Sequence, residues 1–173
     1  KDTAMKFAKA AAVLLAVSTT AQAQESNWGY FQDETETKGV RLLQAGVVAE
    51  NGAQLILKCE EPGETKVIGV VVTDVNLTGA RPRPPERPVF LRFDNGGPKE
   101  VRWFYYPNSV IATNTKRNPL IGPFITQLAD AKTLEVRLEP EKGSPVQIQF
   151  NVTGAREAIG RVFENCKDKN PLR

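Results

Sequence analysis

Residues 133–166 read TLEVRLEPEKGSPVQIQFNVTGAREAIGRVFENC, and this stretch decides the fold. Apolar and polar residues alternate with a period of two over 134–138 and again over 146–152. Such alternation predicts two antiparallel strands, each with one buried face and one face toward water. The segment between them, 139–143, contains a proline and a glycine and predicts a turn. The apolar positions are Leu134, Val136, Leu138, Val146, Ile148, Phe150 and Val152.

The end of this stretch, 154–166, changes to the period of a helix. Its apolar residues recur at i, i+3, i+4, i+7, i+8 and i+11, which gives one continuous stripe from Ala155 to Cys166. Glu157 and Arg161 lie outside the stripe as an i, i+4 pair in the favourable orientation. We expect this helix to cover a sheet rather than to bind a membrane or a partner helix.

Upstream of residue 114 the chain consists of short apolar runs separated by glycine, proline and asparagine. Asn51-Gly52 lies between two such runs and Asp94-Asn95-Gly96-Gly97 lies between two others, which predicts two β-hairpins. A proline start followed by apolar residues at helical spacing predicts one short helix over 123–131. The predicted strands cover residues 40–48, 53–59, 67–77, 89–93, 100–106 and 109–113.

The segment 81–88 reads RPRPPERP, with four prolines and three arginines in eight residues. Proline lacks a backbone donor and favours extended polyproline conformation. We therefore expect an exposed connection that cannot be a central strand, either a plain loop or a basic contact arm.

The two cysteines point to one core. Cys59 shares a strand face with Leu55 and Leu57, and Cys166 lies on the apolar stripe of the last helix. An even cysteine count in an exported chain predicts a Cys59–Cys166 disulfide. The sequence thus predicts a mainly β protein, an antiparallel β-sandwich or partly open barrel, with one short helix and a disulfide-tethered C-terminal helix.

The N-terminal residues resemble a secretory signal peptide. Lys6 and Lys9 precede a short apolar run over 10–17, and Ala21-Gln22-Ala23 fits an A-x-A cleavage site. We expect residues 1–23 to be this signal, with residues 1–4 unexplained, and residues 24–173 to form a single exported β-rich domain. The predicted location is periplasmic or secreted, with no membrane span in the mature chain.

Composition excludes several classes of function. The chain contains no histidine, so it cannot hold a Ser-His-Asp triad, a Cys-His pair or a histidine-bearing zinc site. Without residues 1–23 the count of 23 basic and 20 acidic residues becomes 20 and 19, a net charge of +1. That balance argues against nucleic-acid binding. No spacing implies a catalytic carboxylate pair, and we expect no enzyme activity, no cofactor and no metal.

The segment over 90–106 is the predicted contact region. In 100–106 both faces of the strand carry aromatic residues, and exposing both faces to water would be energetically unfavourable. Two interpretations remain open: a partner covers one face, or one face is core and the other packs under a loop such as 81–88. Arg87 and Arg117 would extend a cationic rim toward an acidic protein or an anionic glycan. The predicted contacts are Arg92, Asp94, Arg102, Trp103 and Tyr106.

The linear order of motifs resembles the VasI/TagO family of exported accessory proteins associated with type VI secretion. It is also similar in outline to the invasion-associated locus B proteins. This resemblance covers about 28–166 and implies a non-enzymatic envelope protein that binds another protein of the envelope or of a secretion system. The alternative is a module that recognises a glycan or inhibits a muramidase. The motifs are an early Trp28, LILKC at 55–59, FLRFD at 90–94, Trp103, FITQLADAKTLEVR at 124–137, FNVTGAREAI at 150–159 and Cys166.

Overall fold

The computed structural model describes residues 26–114 and 121–173, so the predicted signal over 1–23 lies outside the described residues, as does Arg117. The described residues form an open antiparallel sheet with two helices on one face. Its elements are β1 (Gly29–Thr37), β2 (Val40–Val48), β3 (Gln54–Lys58), β4 (Ile68–Val72), β5 (Glu86–Phe93), β6 (Lys99–Tyr105), β7 (Ser109–Ala112), α1 (Ile121–Leu128), β8 (Thr133–Leu138), β9 (Val146–Asn151) and α2 (Ala155–Asn165). The strand order is β1-β2-β3-β4-β7-β6-β5-β8-β9.

The face toward the helices, called the inner face, carries the core. The predicted alternation of β8 and β9 holds, because Leu134, Val136, Leu138 and Phe150 are fully buried. Helix α2 packs mainly on β2. The Phe124 ring of α1 packs against Gly69 of β4, where a Cβ added to the glycine would lie only 3.2 Å from the ring. Neither helix in the described ranges has the length and apolar character needed to cross a bilayer.

The sheet curls around this core. Cα atoms of β2 and β9 approach to within 8 Å, although the two strands are far apart in the strand order. The indole Nε1 of Trp28 donates to Val152 O at 3.2 Å, which joins the start of β1 to the end of β9. The predicted mainly β fold is confirmed, in the form of a curled open sheet.

The predicted disulfide is also confirmed. Cys59 follows β3, Cys166 follows α2, and their Cα atoms are 6.2 Å apart. Next to the disulfide, the Asp168 carboxylate accepts hydrogen bonds from the backbone N–H groups of Thr65, Lys66 and Val67 at 2.7 to 2.8 Å. The C-terminal residues therefore hold the connection between β3 and β4 as well as the helix.

The segment over 81–88 differs from the prediction, since its last three residues begin β5, between β6 and β8. Proline is tolerated there because the β5–β8 ladder starts only at Val89. Beyond the end of the β5–β8 ladder, the Tyr105 hydroxyl bridges the two strands. It accepts a hydrogen bond from Glu139 N at 3.0 Å and donates one to Pro88 O at 2.7 Å. Burial is the main reason that the pKa of Tyr105 is raised.

The structure also contains a strand that was not predicted, β1 over 29–37. Among the strands that the structure describes, β1 lies at an edge and pairs only with β2, and most of its residues are exposed. A strand with water on both faces has no apolar alternation to reveal it. The two predicted hairpins are confirmed, whereas β4 ends at Val72, five residues before the predicted end.

Candidate binding surface

The face of the sheet opposite the helices, called the outer face, carries an apolar row. Strand register places Ile56, Val70, Ile111 and Phe104 side by side across β3, β4, β7 and β6. Val70, in the middle of the row, is only 6% exposed although neither helix covers this face. The other three members of the row, Ile56, Phe104 and Ile111, are half-buried. We call these four residues the outer apolar row.

Two of the predicted contact residues flank this row. Arg102 lies two residues before Phe104 on β6 and therefore points to the same outer face. Its guanidinium donates to Glu86 O at 2.7 Å and remains exposed. Tyr106 follows the end of β6, and 37% of it is exposed. An arginine and a tyrosine beside an apolar centre form a composition that is enriched at protein interfaces.

Arg92 lies on the outer face but away from the row. Pro88 pairs with Arg102, and Arg92 comes four residues later on β5, about 13 Å along the strand. Its guanidinium forms an ion pair with Glu135 on β8, and that hydrogen bond is the main cause that lowers the pKa of Glu135. Arg92 therefore contributes to a paired, nearly neutral part of the surface.

Asp94 fixes a turn. It has a positive φ of 49° at the end of β5, and its Oδ1 accepts hydrogen bonds from Thr133 N at 2.8 Å and Lys132 N at 2.9 Å. The Thr133 bond is the main cause that holds the pKa of Asp94 below its usual value. These bonds connect the β5–β6 hairpin to β8, which is a structural role.

Trp103 lies in the core and is not part of the exposed surface. Its exposed fraction is 0%, and its ring packs edge-on against Phe124 with centroids 5.2 Å apart. The alternation of β6 explains this placement, because Trp103 shares the inner face with Tyr105. Val101, Trp103 and Tyr105 therefore lie on the core side of β6, and what covers the other face stays open between the two interpretations.

A second feature lies where the curled sheet nearly meets itself. A cleft of about 590 Å³ separates the outer edge of β9 from the turn between β2 and β3. We call it the seam cleft. Its polar lining includes Gln147, Gln149 and Asn151, which the sequence assigned only to a wet strand face. The remaining lining residues are Val48, Ala49, Glu50, Asn51, Lys132, Thr133, Phe150 and Thr153.

Within 26–114 and 121–173 no group of three or more cysteine, aspartate and glutamate side chains is placed to hold a metal ion. Two carboxylates, Glu64 and Asp168, line another cleft of about 300 Å³. Asp168 there is occupied by its backbone hydrogen bonds to the β3–β4 connection.

These features define a class of protein: a curled antiparallel sheet with its helices on the inner face and a partly apolar outer face. Among solved structures, the chain is similar to the crystal structure of invasion associated protein B from Bartonella henselae. The two share 14% identity over 82% of this chain and 95% of that one, with a TM-score of 0.53, so the likeness concerns the fold. No protein-family model and no curated protein matches the chain, and the VasI/TagO resemblance stays a prediction.

Proposed function

We propose that this chain is a non-enzymatic, exported accessory protein of the bacterial envelope that binds another protein through the outer face of its sheet. The outer apolar row is the observation that supports this proposal. Four apolar side chains in register, with the helices on the opposite face, are typical of the centre of an interface. Arg102 and Tyr106 supply residue types that often dominate binding energy.

The charges of the outer face favour a protein over an anionic glycan. Arg92 pairs with Glu135, Arg102 lies 3.8 Å from a Glu86 carboxylate oxygen, and Arg137 lies 2.8 Å from Glu139. Each of these three arginines thus has an acidic neighbour, which leaves little net positive charge on this part of the face to attract a polyanion. The glycan or muramidase module is therefore the weaker candidate.

Export and the type of system are narrower parts of the proposal. Export is supported by the predicted signal over 1–23 and by the disulfide, because disulfides persist in oxidising compartments. The similar solved structure is of an invasion associated protein, which favours a virulence-related accessory role here. A role in type VI secretion rests on the motif resemblance, and the genes beside this one test it directly.

A pull-down from periplasmic extract of the source bacterium tests the proposal. We expect the wild type to capture a specific protein and Arg102→Ala plus Tyr106→Ala to capture at least about tenfold less of it. Glu164→Ala plus Lys169→Ala changes two exposed side chains on and just after α2, away from the outer face, and is the control. Equal capture by all folded variants, or no specific partner for the wild type, would contradict the proposal.

A further inference from the structure

The chain contains two Asn-x-Thr patterns, the pattern of an N-glycosylation acceptor. The first, NLT at 76–78, lies in the connection between β4 and β5, and the second, NVT at 151–153, lies at the end of β9. An acidic residue, Asp74, comes two positions before the first asparagine, whereas Gln149 comes two positions before the second. The two patterns therefore differ in charge. We call residues 74–78 the acceptor segment.

The acceptor asparagine lies on an exposed arch of the chain. Residues 74–76 are all exposed. The arch is tied down on both sides, because the backbone N–H groups of Thr73 and Leu77 donate to carbonyl oxygens of the turn between β6 and β7 at 2.9 and 2.7 Å. The Asn76 side chain is therefore accessible, and a sugar attached to its amide leaves both backbone hydrogen bonds in place.

Three polar side chains alternate along the acceptor segment. Successive side chains of an extended chain point to opposite sides, so Asp74, Asn76 and Thr78 share one side when the segment is extended. An enzyme that binds the segment in that form meets a carboxylate, an amide and a hydroxyl in one row. The carboxylate can accept charge-assisted hydrogen bonds from an arginine, and the hydroxyl can donate or accept one. The two outer groups can thus hold the central amide in place.

Folding breaks up this row. Thr78 is only 3% exposed in the folded chain, whereas Asp74 and Asn76 stay exposed. Beside Thr78, the Leu77 carbonyl accepts a hydrogen bond from Glu141 N at 2.9 Å, which ties the segment to the turn between β8 and β9. An enzyme that needs the Thr78 hydroxyl therefore acts before this tie forms, while the chain is still unfolded.

The second pattern lacks the carboxylate, because Gln149 carries a neutral amide. In the folded chain it is also held in the sheet. The Asn151 Oδ1 accepts a hydrogen bond from Thr153 N at 3.1 Å, and Val152 between them is fully buried. The chain therefore presents one acceptor with both flanking groups, and this acceptor is centred on Asn76.

We propose that Asn76 is a site of N-linked glycosylation, modified during export and before the chain folds. The donor is an oligosaccharide joined through a diphosphate to a membrane lipid. Asn76 Nδ2 forms a bond to the anomeric carbon of the first sugar and loses one proton. The bond from that carbon to the diphosphate oxygen breaks, and the lipid diphosphate leaves with the bonding electron pair. This inference rests on the export part of the proposed function and is independent of binding through the outer face.

Mass spectrometry of the protein purified from its source bacterium tests the proposal. We expect the protease fragment that contains Asn76 to carry the mass of an oligosaccharide and the fragment that contains Asn151 to be unmodified. Asn76→Gln should abolish the modification, and Asn151→Gln, the matched control, should leave it unchanged. Both glutamines keep a side-chain amide, so both variants should fold.

Variants of the two flanking groups test how the segment is recognised. Asp74→Asn removes only the charge and should lower the modified fraction at least about tenfold. Thr78→Val removes the hydroxyl and should abolish the modification, whereas Thr78→Ser should retain it. Circular dichroism establishes that each variant folds. An unmodified Asn76 fragment in the exported wild type, or equal modification of Asp74→Asn and Thr78→Val, would overturn the inference.

Pulse labelling tests the order of events. We expect the modified form to appear before the Cys59–Cys166 disulfide forms, because the Thr78 hydroxyl is accessible only in the unfolded chain. Electrophoresis with and without a reducing agent separates the oxidised from the reduced chains. Modification that appears only in chains already oxidised would reject action before folding.

Cell fractionation and the pull-down separate this inference from the proposed function. A periplasmic or secreted chain that carries no sugar rejects glycosylation and leaves the proposed function standing. A chain that stays in the cytoplasm rejects export, and with it both proposals. A modified chain that captures no specific partner supports the inference and rejects binding through the outer face.

Discussion

Asp94 shows how one carboxylate can hold a sheet together at a turn. Its bonds to Thr133 N and Lys132 N keep its pKa below the usual value of 3.8, with the Thr133 bond as the main cause. A group whose pKa is lower in the folded state stabilises that state when ionised. The stabilisation is therefore present above about pH 4 and is lost as the pH falls through the folded-state pKa.

Asp94→Asn should consequently lower the free energy of unfolding by about 1 kcal/mol at pH 7, because hydrogen bonds to a charged group contribute about 1.5–3 kcal/mol and solvent screens the exposed Asp94 carboxylate. The difference from the wild type should shrink as the pH falls below about 4. Urea denaturation over this pH range measures both. Asp74→Asn is the control, since Asp74 is exposed and its carboxylate lies 3.5 Å from the Thr73 hydroxyl. A difference for Asp94→Asn that stays constant with pH would contradict this explanation.

At the scale of elements, Asn165 joins the last helix to the sheet. Its Oδ1 accepts from Leu43 N at 2.7 Å and its Nδ2 donates to Arg41 O at 3.0 Å. This part of β2 extends beyond β3, whose pairing reaches only to Ala45. Beyond the end of β3, the side-chain amide of Asn165 therefore takes the place of a neighbouring strand. It offers β2 one acceptor and one donor, as a backbone peptide group would.

Asn165→Ala should lower the free energy of unfolding by about 2 kcal/mol, because two hydrogen bonds are lost and two backbone groups of β2 lose their partners. The Leu43 amide should also exchange hydrogen faster with solvent. Glu164→Ala, on the exposed face of the same helix, should change stability by less than about 0.5 kcal/mol. Equal effects of the two variants, or unchanged exchange at Leu43, would show that the amide does not hold the strand.

The elements that were predictable from the sequence are those with a buried face. β8, β9 and α2 carry a regular apolar period, and their bounds agree with the prediction within one or two residues. β1 has no such period because most of its residues are exposed to water. The start of β5 was not predicted because it contains a proline, which is tolerated there since the ladder between β5 and β8 begins only at Val89. Register across strands that are distant in sequence, which creates the outer apolar row and the seam cleft, leaves no local signal at all.

At the scale of the whole molecule, the Cys59–Cys166 disulfide joins β3 to the end of α2 across 107 residues of sequence. Six of the nine strands of the described sheet, β4 to β9, lie within that loop. In the chain-entropy account, a cross-link stabilises mainly by restricting the unfolded chain, and a loop of this length contributes about 5 kcal/mol. Typical domains are stable by only about 5–15 kcal/mol, so this is a large share of the total.

Cys59→Ser plus Cys166→Ser should therefore lower the urea midpoint strongly, by an amount equivalent to about 3–5 kcal/mol, while the fold is retained in the absence of denaturant. Retention is expected because Asp168 and Asn165 still tie the end of α2 to the β3–β4 connection and to β2. Adding Asp168→Ala should then destabilise the reduced molecule further, since three backbone N–H groups lose their acceptor. Denaturation of the wild type with and without a reducing agent provides the reference. A cysteine-free variant as stable as the oxidised wild type would show that the sheet and the two side-chain ties suffice to fix the helix without the covalent bond.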